Sequence, residues 1–388
     1  MKIALIYDYL SEVGGVERVM GTHANWLTRA GHDVTLLFNY VNQKTAEYAF
    51  LKGLKIEQTC KFKSGGEPFQ VFSGLIGFND LEKRKNQYDL VIAYSFPSIF
   101  TSRKIKCKKA FYYLPMEFIY FPLKKRWEWA NDGKRKATFF FSLFLAPILR
   151  MLDKKWIKNK LVIANSDFTR KEIRERYNVD SIISYPPLNS VFKPAKSPEK
   201  TLKKYNVNKK FILTAGRIVP DKKQDWLVEV FAKLNNKDLD FVIAGQIEEK
   251  YKQKLLDTAE KFKVKDKLKL IGLVTQVELV DLYSKSEAFL FASQEEAFGL
   301  VPIEAMACGT PVVAWNDDAG PNEYVIDKVN GYLAKPYNLD DFTEKVKKIL
   351  DEGFKKKNKK RIIESVKKFT EDEQYKSFIN KTDEYTKK

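Results

Sequence analysis

Short apolar segments alternate with longer amphipathic segments along most of this chain. They fall at residues 2–7, 33–38, 54–59, 90–95, 110–114, 161–164, 182–187, 211–215, 240–244, 268–273, 288–292 and 310–315. Apolar runs of this length are typical of strands buried on both faces, and the helices between them allow neighbouring strands to lie parallel. The pattern predicts an α/β protein in which helices cover both faces of parallel sheets.

A proline-bearing segment from Asn189 to Thr201 interrupts the alternation near the middle of the chain. At 388 residues the chain is long enough for two cores. We therefore predict an N-terminal domain at 1–190 and a C-terminal domain at 200–365. Because ligands bind beyond the carboxyl ends of parallel strands, the loops that follow the apolar runs are the first places to look for a site.

The composition restricts the location and the partners. The formal net charge of +19 is compatible with nucleic acid, anionic lipid or a phosphorylated substrate, although lysines spread along the chain also fit a solvated surface. Three cysteines, Cys60, Cys107 and Cys308, are too few and too scattered for a disulfide framework. With no signal peptide and no spanning segment apparent, we expect a cytoplasmic protein.

The segment 137–157 is rich in Phe and Leu and is flanked by cations. Such a helix could lie on the inner face of an anionic membrane, or it could pack as an ordinary helix against the N-terminal sheet. The sequence leaves both interpretations open.

The run from Ser293 to Ala314 carries the strongest signal for chemistry. Glu296 and Glu304 stand eight positions apart, with Gly299 between them. We expect a helix from about Val301 or Pro302, ended by a left-handed Gly309. The amides at its start, from Phe298 through Gly299 and Leu300 to Val301, would hold a pyrophosphate. Glu304 would accept hydrogen bonds from a ribose diol, and Glu296 would accept them from a sugar diol. The simpler interpretation is that Glu296 is an exposed loop residue and that Glu304 is a first-turn residue favoured by the helix dipole.

Two further loops favour anion binding. Gly216, Arg217 and Lys222 follow the apolar run 211–215, and the two cations could converge on a diphosphate and stabilise its charge as it leaves. Gly14 and Gly15 precede the first predicted helix. The full G-x-G-x-x-G fingerprint of nicotinamide and flavin binders is missing from that loop.

These segments together resemble the retaining nucleotide-sugar glycosyltransferases of GT-B architecture, glycosyltransferase family 4. The resemblance rests on E-x7-E followed by EAMACGTPVV, on GR-x-x-x-(D/E)-K at Arg217, on the GG-x-E-R loop at Gly14, and on Gly320-Pro321. It implies two Rossmann-like domains that face a cleft, the first binding the acceptor and the second the nucleotide sugar. It also implies that the last helix, about 369–388, packs back on the first domain.

The chain departs from the family at three positions. Tyr113 stands where relatives often carry a His that touches the donor sugar, Glu117 stands in an Arg position, and Lys223 stands where a Gly is usual. His23 and His32, the two histidines, fit a structural role better than a catalytic one. Tyr113, Asn165 and Ser166 are our candidates for sugar or acceptor contacts, and Ser166 or Asp167 is the expected cap of the following helix.

The reaction that the resemblance implies is transfer of a hexosyl group from a nucleoside diphosphate sugar to a hydroxyl acceptor, with Arg217, Lys222 and Glu296 as catalytic residues. No metal or other cofactor is expected, because no D-x-D motif lies in a suitable loop. Mannosyl transfer from GDP-mannose to a lipid-linked or surface glycan is weakly favoured over use of a UDP-sugar. A nucleotide-sugar epimerase, a glycoside hydrolase and a basic nucleic-acid-binding protein remain alternatives.

Overall fold

The structure is a computed structural model, and it describes residues 1–10, 14–47, 51–60, 80–95, 98–107, 109–114, 123, 127, 133–158, 160–207 and 210–387. The chain forms two compact units. One comprises Met1–Pro186 with Gln374–Lys388, and the other comprises Pro187–Glu373. The predicted boundary lay at 190–200, slightly later in the chain. Glu117, one of the positions at which the chain departs from the family, lies outside the described residues.

The N-terminal unit is built on a seven-stranded parallel sheet with the order β3-β2-β1-β4-β5-β6-β7. Its strands are β1 (Lys2–Leu10), β2 (Asp33–Val41), β3 (Lys55–Gln58), β4 (Leu90–Tyr94), β5 (Lys109–Leu114), β6 (Leu161–Ala164) and β7 (Ser181–Ile183). Each of the seven overlaps an apolar run identified in the sequence, although β7 shares only two residues with the run at 182–187. The central strand β4 is buried at all of its residues, as expected for a strand covered on both faces.

The helices of the N-terminal unit are α1 (Gly15–Arg29), α2 (Gln43–Ala46), α3 (Ser98–Thr101), α4 (Gly133–Ile157), α5 (Asp167–Tyr177) and, in chain order after the other unit, α13 (Glu371–Lys387). Helix α1 begins at Gly15 because Glu17 reaches back to accept a hydrogen bond from the backbone N–H of Gly14 at 3.0 Å. Gly31 follows the helix with φ +86, which a glycine adopts without strain.

The last helix contributes to the N-terminal core through aromatic side chains. The ring of Phe378 stacks on that of His23 with centroids 4.0 Å apart, and Tyr375 meets Trp26 edge-on at 6.0 Å. His23 is fully buried, its Nδ1 lies 2.8 Å from the hydroxyl of Tyr94, and burial lowers its pKa to about 3. A neutral, enclosed imidazole of this kind serves the core, as expected from the sequence.

The second unit contains a six-stranded parallel sheet with the order β10-β9-β8-β11-β12-β13. Its strands are β8 (Lys210–Ala215), β9 (Leu239–Ala244), β10 (Leu268–Gly272), β11 (Phe289–Leu290), β12 (Val312–Trp315) and β13 (Gly331–Ala334). Its helices are α6 (Glu199–Lys204), α7 (Gln224–Leu234), α8 (Glu249–Lys261), α9 (Gln276–Lys285), α10 (Leu300–Ala307), α11 (Leu339–Asp351) and α12 (Phe354–Ser365). The two parallel α/β units confirm the predicted fold class. No helix in the described ranges is long and apolar enough to cross a membrane.

A buried polar network lies at the carboxyl end of β1. The carboxylate of Asp8 accepts hydrogen bonds from the hydroxyl of Ser98 at 2.5 Å and from the amide of Asn39 at 2.9 Å. Asn39 in turn accepts from the hydroxyl of Thr59 at 2.9 Å. Burial raises the pKa of Asp8 to about 7 although these hydrogen bonds favour its charged form. The network links the ends of β1 and β2 to the start of α3.

Asp8→Asn should change how stability depends on pH. Folded Asp8 keeps its proton up to about pH 7, whereas unfolded Asp8 loses it near 3.8. The stability that Asp8 contributes is therefore fully present below the unfolded pKa and is lost as the pH rises to about 7. Relative to the variant, the wild type should lose up to about 4 kcal/mol of unfolding free energy between about pH 4 and pH 8. Urea unfolding across this range measures the difference, with the exposed Asp33→Asn as control. A difference that stays constant with pH would contradict the raised pKa.

Candidate functional site

The sheet of the second unit changes direction between β8 and β11. Strands β9 and β10 follow β8 to one side, whereas β12 and β13 follow β11 to the other. Loops leaving two such neighbouring strands diverge and open a crevice at the carboxyl edge of the sheet, where ligands of parallel α/β units bind. Gly216 and Gly245 end β8 and β9 here, and a Cβ on Gly245 would lie only 1.7 Å from the carbonyl oxygen of Gly216. Only glycine permits this approach.

The loop after β8 holds Arg217 and Lys222 at the switch point. The side-chain amide of Gln224 donates to the carbonyl of Arg217 at 2.9 Å, and a single 3₁₀ turn spans Pro220–Lys222. The side chain of Arg217 is exposed. Lys223, which replaces a usual glycine, adopts φ +53 and ψ +35, the left-handed conformation that glycine would supply.

Lys222 and Glu296, predicted separately as a phosphate contact and a sugar contact, lie together. The Nζ of Lys222 is 2.6 Å from Oε2 of Glu296, and both side chains are about a quarter exposed or less. One residue comes from the loop after β8 and the other from the loop after β11. The pair therefore bridges the two sides of the switch point.

A second loop, after β12, fixes the backbone that carries Glu296. The N–H of Gly320 donates to the carbonyl of Glu296 at 2.8 Å, and Asp317 accepts from the N–H of Glu295 at 3.0 Å. The hydroxyl of Tyr324 donates to the carbonyls of Phe298 and Gly299 at 2.8 and 2.9 Å. Burial, with nearby carboxylates, raises the pKa of Tyr324 well above its usual value, so this donor keeps its proton.

Helix α10 begins directly after this fixed turn. Gly299 is its N-cap, with φ +82 and no side chain to accept from the first-turn amides. The helix starts at Leu300, one residue before the predicted start at Val301 or Pro302. Gly309, at φ +86, ends it as predicted, with hydrogen bonds from its own N–H to Met306 and from Thr310 N–H to Ala305.

Glu304 lies on the inner side of α10. It is only 4 % exposed, and its Oε2 accepts a hydrogen bond from the hydroxyl of Tyr283 in α9 at 3.2 Å. It is thus an enclosed carboxylate, not the exposed first-turn residue of the simpler interpretation. The Phe298 ring is also buried, against Tyr324 and Phe369. A contact of Phe298 with a ligand would therefore involve its backbone and not its ring.

Lys355 supports α10 from behind. Its ammonium donates to the carbonyls of Ser284 and Ser286 at 2.8 and 2.5 Å and to the hydroxyl of Thr310 at 3.1 Å. Burial lowers its pKa to about 8. The contacts tie α12 to the end of α9 and to the turn after α10. They hold in place the two helices that carry Tyr283 and Glu304.

The remaining predicted residues belong to the other unit. Gly14 and Gly15 form the start of α1, where Glu17 already satisfies one backbone amide. Ser166 is the N-cap of α5 and accepts from Thr169 N–H at 3.0 Å. Asn165 accepts from the hydroxyl of the same threonine at 2.6 Å. Both side chains are buried.

Tyr113 occupies the core of the N-terminal unit. It is 2 % exposed, and its ring lies 5.3 Å from that of Tyr94 and 5.8 Å from that of His23. Burial raises its pKa above the ordinary value of 10. This position gives no support to the predicted sugar contact at Tyr113, because the hydroxyl-bearing ring is enclosed by other aromatic side chains.

Sequence reasoning missed Tyr283, Tyr324 and Asp317. Each acts through a contact with a residue far away in the chain, and none has a distinctive local pattern. Among the described side chains, no group of three or more His, Cys, Asp and Glu is arranged to hold a metal ion.

Two family models match consecutive parts of the chain. Residues 13–185 match the model described as Glycosyltransferase Family 4, and residues 197–376 match the model described as Glycosyl transferases group 1. The second match contains the whole switch-point site described above.

Individual proteins match over shorter stretches. The chain is 30% identical over 173 residues to an uncharacterized glycosyltransferase of Haemophilus influenzae, which is 44% of this chain and 46% of that protein. It is 26% identical over 242 residues to human alpha-1,3/1,6-mannosyltransferase ALG2, which is 56% of each. The chain thus spans about half the length of these curated relatives.

One solved structure extends the comparison to the whole fold. The crystal structure of Anabaena HepE in complex with UDP and glucose superposes with a TM-score of 0.76, covering 99% of this chain and 100% of that one. The two sequences are 17% identical, so this likeness concerns the fold alone.

Tyr283→Phe should destabilise the second unit. Removing the hydroxyl leaves the enclosed Glu304 carboxylate without one of its donors, which we expect to cost about 1 to 3 kcal/mol of unfolding free energy. Tyr332→Phe is the matched control, because the hydroxyl of Tyr332 contacts Glu352 at a longer 3.4 Å in a partly exposed position. Urea unfolding compares the two variants. If both variants lost the same unfolding free energy, the hydrogen bond from Tyr283 to Glu304 would contribute no more to stability than the partly exposed contact of Tyr332.

Proposed function

Because the chain belongs to the glycosyltransferases of the group 1 and family 4 type, with the GT-B fold, we propose that it transfers a hexosyl group from a nucleoside diphosphate sugar to a hydroxyl acceptor with retention of the anomeric configuration. The site on the second unit supplies the donor-binding chemistry. The reaction breaks the bond between the anomeric carbon and the diphosphate oxygen and forms a bond from that carbon to the acceptor oxygen. The acceptor proton passes to the departing phosphate.

The observation that carries the proposal is the contact of 2.6 Å between Lys222 and Glu296 at the switch point. An ammonium and a carboxylate that lie together, in loops near a helix N-terminus, can bind the diphosphate and the sugar of one nucleotide sugar. Lys222 stabilises negative charge on the leaving diphosphate, and Glu296 accepts hydrogen bonds from hydroxyls of the sugar. Arg217, exposed in the same loop, adds a guanidinium suited to phosphate oxygens.

The N-terminus of α10, which follows the loop of Glu296, favours binding of a diphosphate. Its N-cap Gly299 offers no side-chain acceptor, so the amides of Leu300 and Val301 and the positive end of the helix dipole favour an anion. Glu304, farther along the helix, would accept hydrogen bonds from the ribose diol. The hydroxyl of Tyr283 orients the Glu304 carboxylate for this contact.

The donor, the acceptor and the location are further proposals. We favour GDP-mannose as donor, since a mannosyltransferase is among the relatives, and a lipid-linked or surface glycan as acceptor at the inner face of a membrane. The complex of HepE with UDP and glucose makes UDP-glucose the first competitor to compare. The N-terminal unit would bind the acceptor, with the segment at Asn165 and Ser166 as a candidate contact for acceptor or sugar. The loop at Gly14 and Gly15 is a candidate contact for the nucleotide sugar. No metal or other cofactor is required, because Lys222, Arg217 and the helix amides supply the positive charge.

A donor panel tests the proposal. We expect one nucleoside diphosphate sugar to raise the melting temperature by mass action and the same sugar to be transferred to a hydroxyl acceptor with its anomeric configuration kept, in the presence of EDTA. Product analysis by NMR identifies the anomer. Sugar released from a plain oligosaccharide without nucleotide would favour a hydrolase. Activity lost in EDTA and restored by Mn²⁺ would contradict the metal-free site.

Substitutions should separate donor binding from turnover. Lys222→Ala should lower kcat by about 10²-fold or more, since it removes a group that stabilises the leaving charge. Glu304→Ala should weaken nucleotide binding about tenfold or more, because hydrogen bonds to a charged group are lost. Calorimetric binding of the nucleoside diphosphate and steady-state rates measure the two effects. Exposed Lys237→Ala is the control, and wild-type behaviour of both site variants would refute the residue roles.

A further inference from the structure

Helix α4 has a covered face and an exposed apolar face. Phe139, Ala146 and Ile157 are buried. A second set of apolar side chains follows the helix at spacings of three and four residues, which places them on one face. We call this set the exposed stripe, and it consists of Phe140, Leu143, Pro147 and Met151. Phe140 is 53% exposed and Met151 is 64% exposed, so the residues that the structure describes leave most of these two side chains uncovered.

An indole extends the exposed stripe at one end. Trp127 is 49% exposed, and its ring centroid lies 6.2 Å from that of Phe140. The Nζ of Lys136 lies 5.9 Å from the centre of the same indole. An aromatic ring with a polar edge, beside a lysine, is typical of groups that sit at the boundary between hydrocarbon and headgroups.

A lysine lies at each end of the exposed stripe. Lys136 precedes Phe140 by four residues and Lys154 follows Met151 by three, so both lysines lie on the same face of the helix, and both are exposed. The sequence of Gly133–Ile157 contains six basic residues and one acidic residue, Asp153. Lysines at both ends of an apolar stripe can bury their methylene stems while their ammonium groups reach anionic headgroups.

We propose that the exposed stripe docks on the surface of an anionic lipid bilayer, with α4 lying in the plane of the interface. The apolar side chains enter the boundary region of the acyl chains, and Lys136 and Lys154 contact the headgroup phosphates. This surface is distinct from the switch-point site, so membrane binding does not depend on the glycosyl transfer proposed above. A second copy of the chain is a poorer partner, because a symmetric contact through this face would bring like charges together.

Flotation of the full chain with vesicles tests the proposal. We expect binding to vesicles of equal parts phosphatidylcholine and phosphatidylglycerol, reduced by salt, and much weaker binding to pure phosphatidylcholine. Phe140→Ser with Met151→Ser should lower the partition coefficient by about tenfold or more, because it removes two of the four apolar side chains of the exposed stripe. The matched control is Leu273→Ser with Val277→Ser, which replaces two apolar residues of the second unit that are even more exposed, at 73% and 65%. It should bind like wild type.

Charge-reversal variants test the contribution of the two lysines in the same flotation experiment. Lys136→Glu with Lys154→Glu should lower binding to the anionic vesicles by about tenfold or more. Lys237→Glu with Lys250→Glu, two exposed lysines of the second unit, should have a much smaller effect. Unchanged melting temperatures confirm that all variants fold. No flotation of the wild type, or equal binding of the stripe and control variants, would overturn the proposal. So would a dimer that the stripe variant abolishes while lipid binding is absent.

Discussion

The contact between Lys222 and Glu296 brings together two segments that are 74 residues apart, and it does so at the one edge of the second sheet where the loops diverge. Parallel strands make this possible, because every strand delivers its following loop to the same side. In the sheet order, β8 and β11 are neighbours although two strands intervene in the chain. The other features of the site serve to keep these two loops at the distance of one ion pair.

Two layers of contacts maintain that distance. Tyr324 and Gly320 hold the backbone around Glu296 and Gly299 from the β12 side, through three hydrogen bonds to carbonyl groups. Gly320 has to be a glycine here, since a Cβ would lie 2.5 Å from the Cα of Phe298. Behind α10, Tyr283 and Lys355 fix the helix that carries Glu304. The loop of Glu296 and the helix of Glu304 are therefore held by donors that are themselves fixed by packing. Preorganised groups of this kind are what electrostatic catalysis requires.

The sequence predicted the sheets well because buried parallel strands are continuous apolar runs, and Leu161–Ala164 was predicted to the residue. Residue types with special backbone roles, such as Gly299 and Gly309, also placed α10 closely. A local sequence pattern does not predict which residues far apart in the chain come into contact. The Lys222–Glu296 pair and the Tyr283 hydroxyl on Glu304 depend on strand order and helix packing. For 137–157, the structure shows that one face of α4 is buried and another is exposed, and the membrane interpretation stays a proposal.

Lys223 adopts a strained backbone conformation directly after Lys222. A non-glycine residue in the left-handed region costs roughly 1 to 2 kcal/mol, and such outliers persist where the surroundings determine them. Here the turn begins α7, and the Lys223 ammonium lies 5.5 Å from the centre of the Trp226 ring, a contact that glycine could not make. The left-handed residue also ends the 3₁₀ turn immediately after Lys222. The strained residue therefore lies at the junction between the turn that carries Lys222 and helix α7.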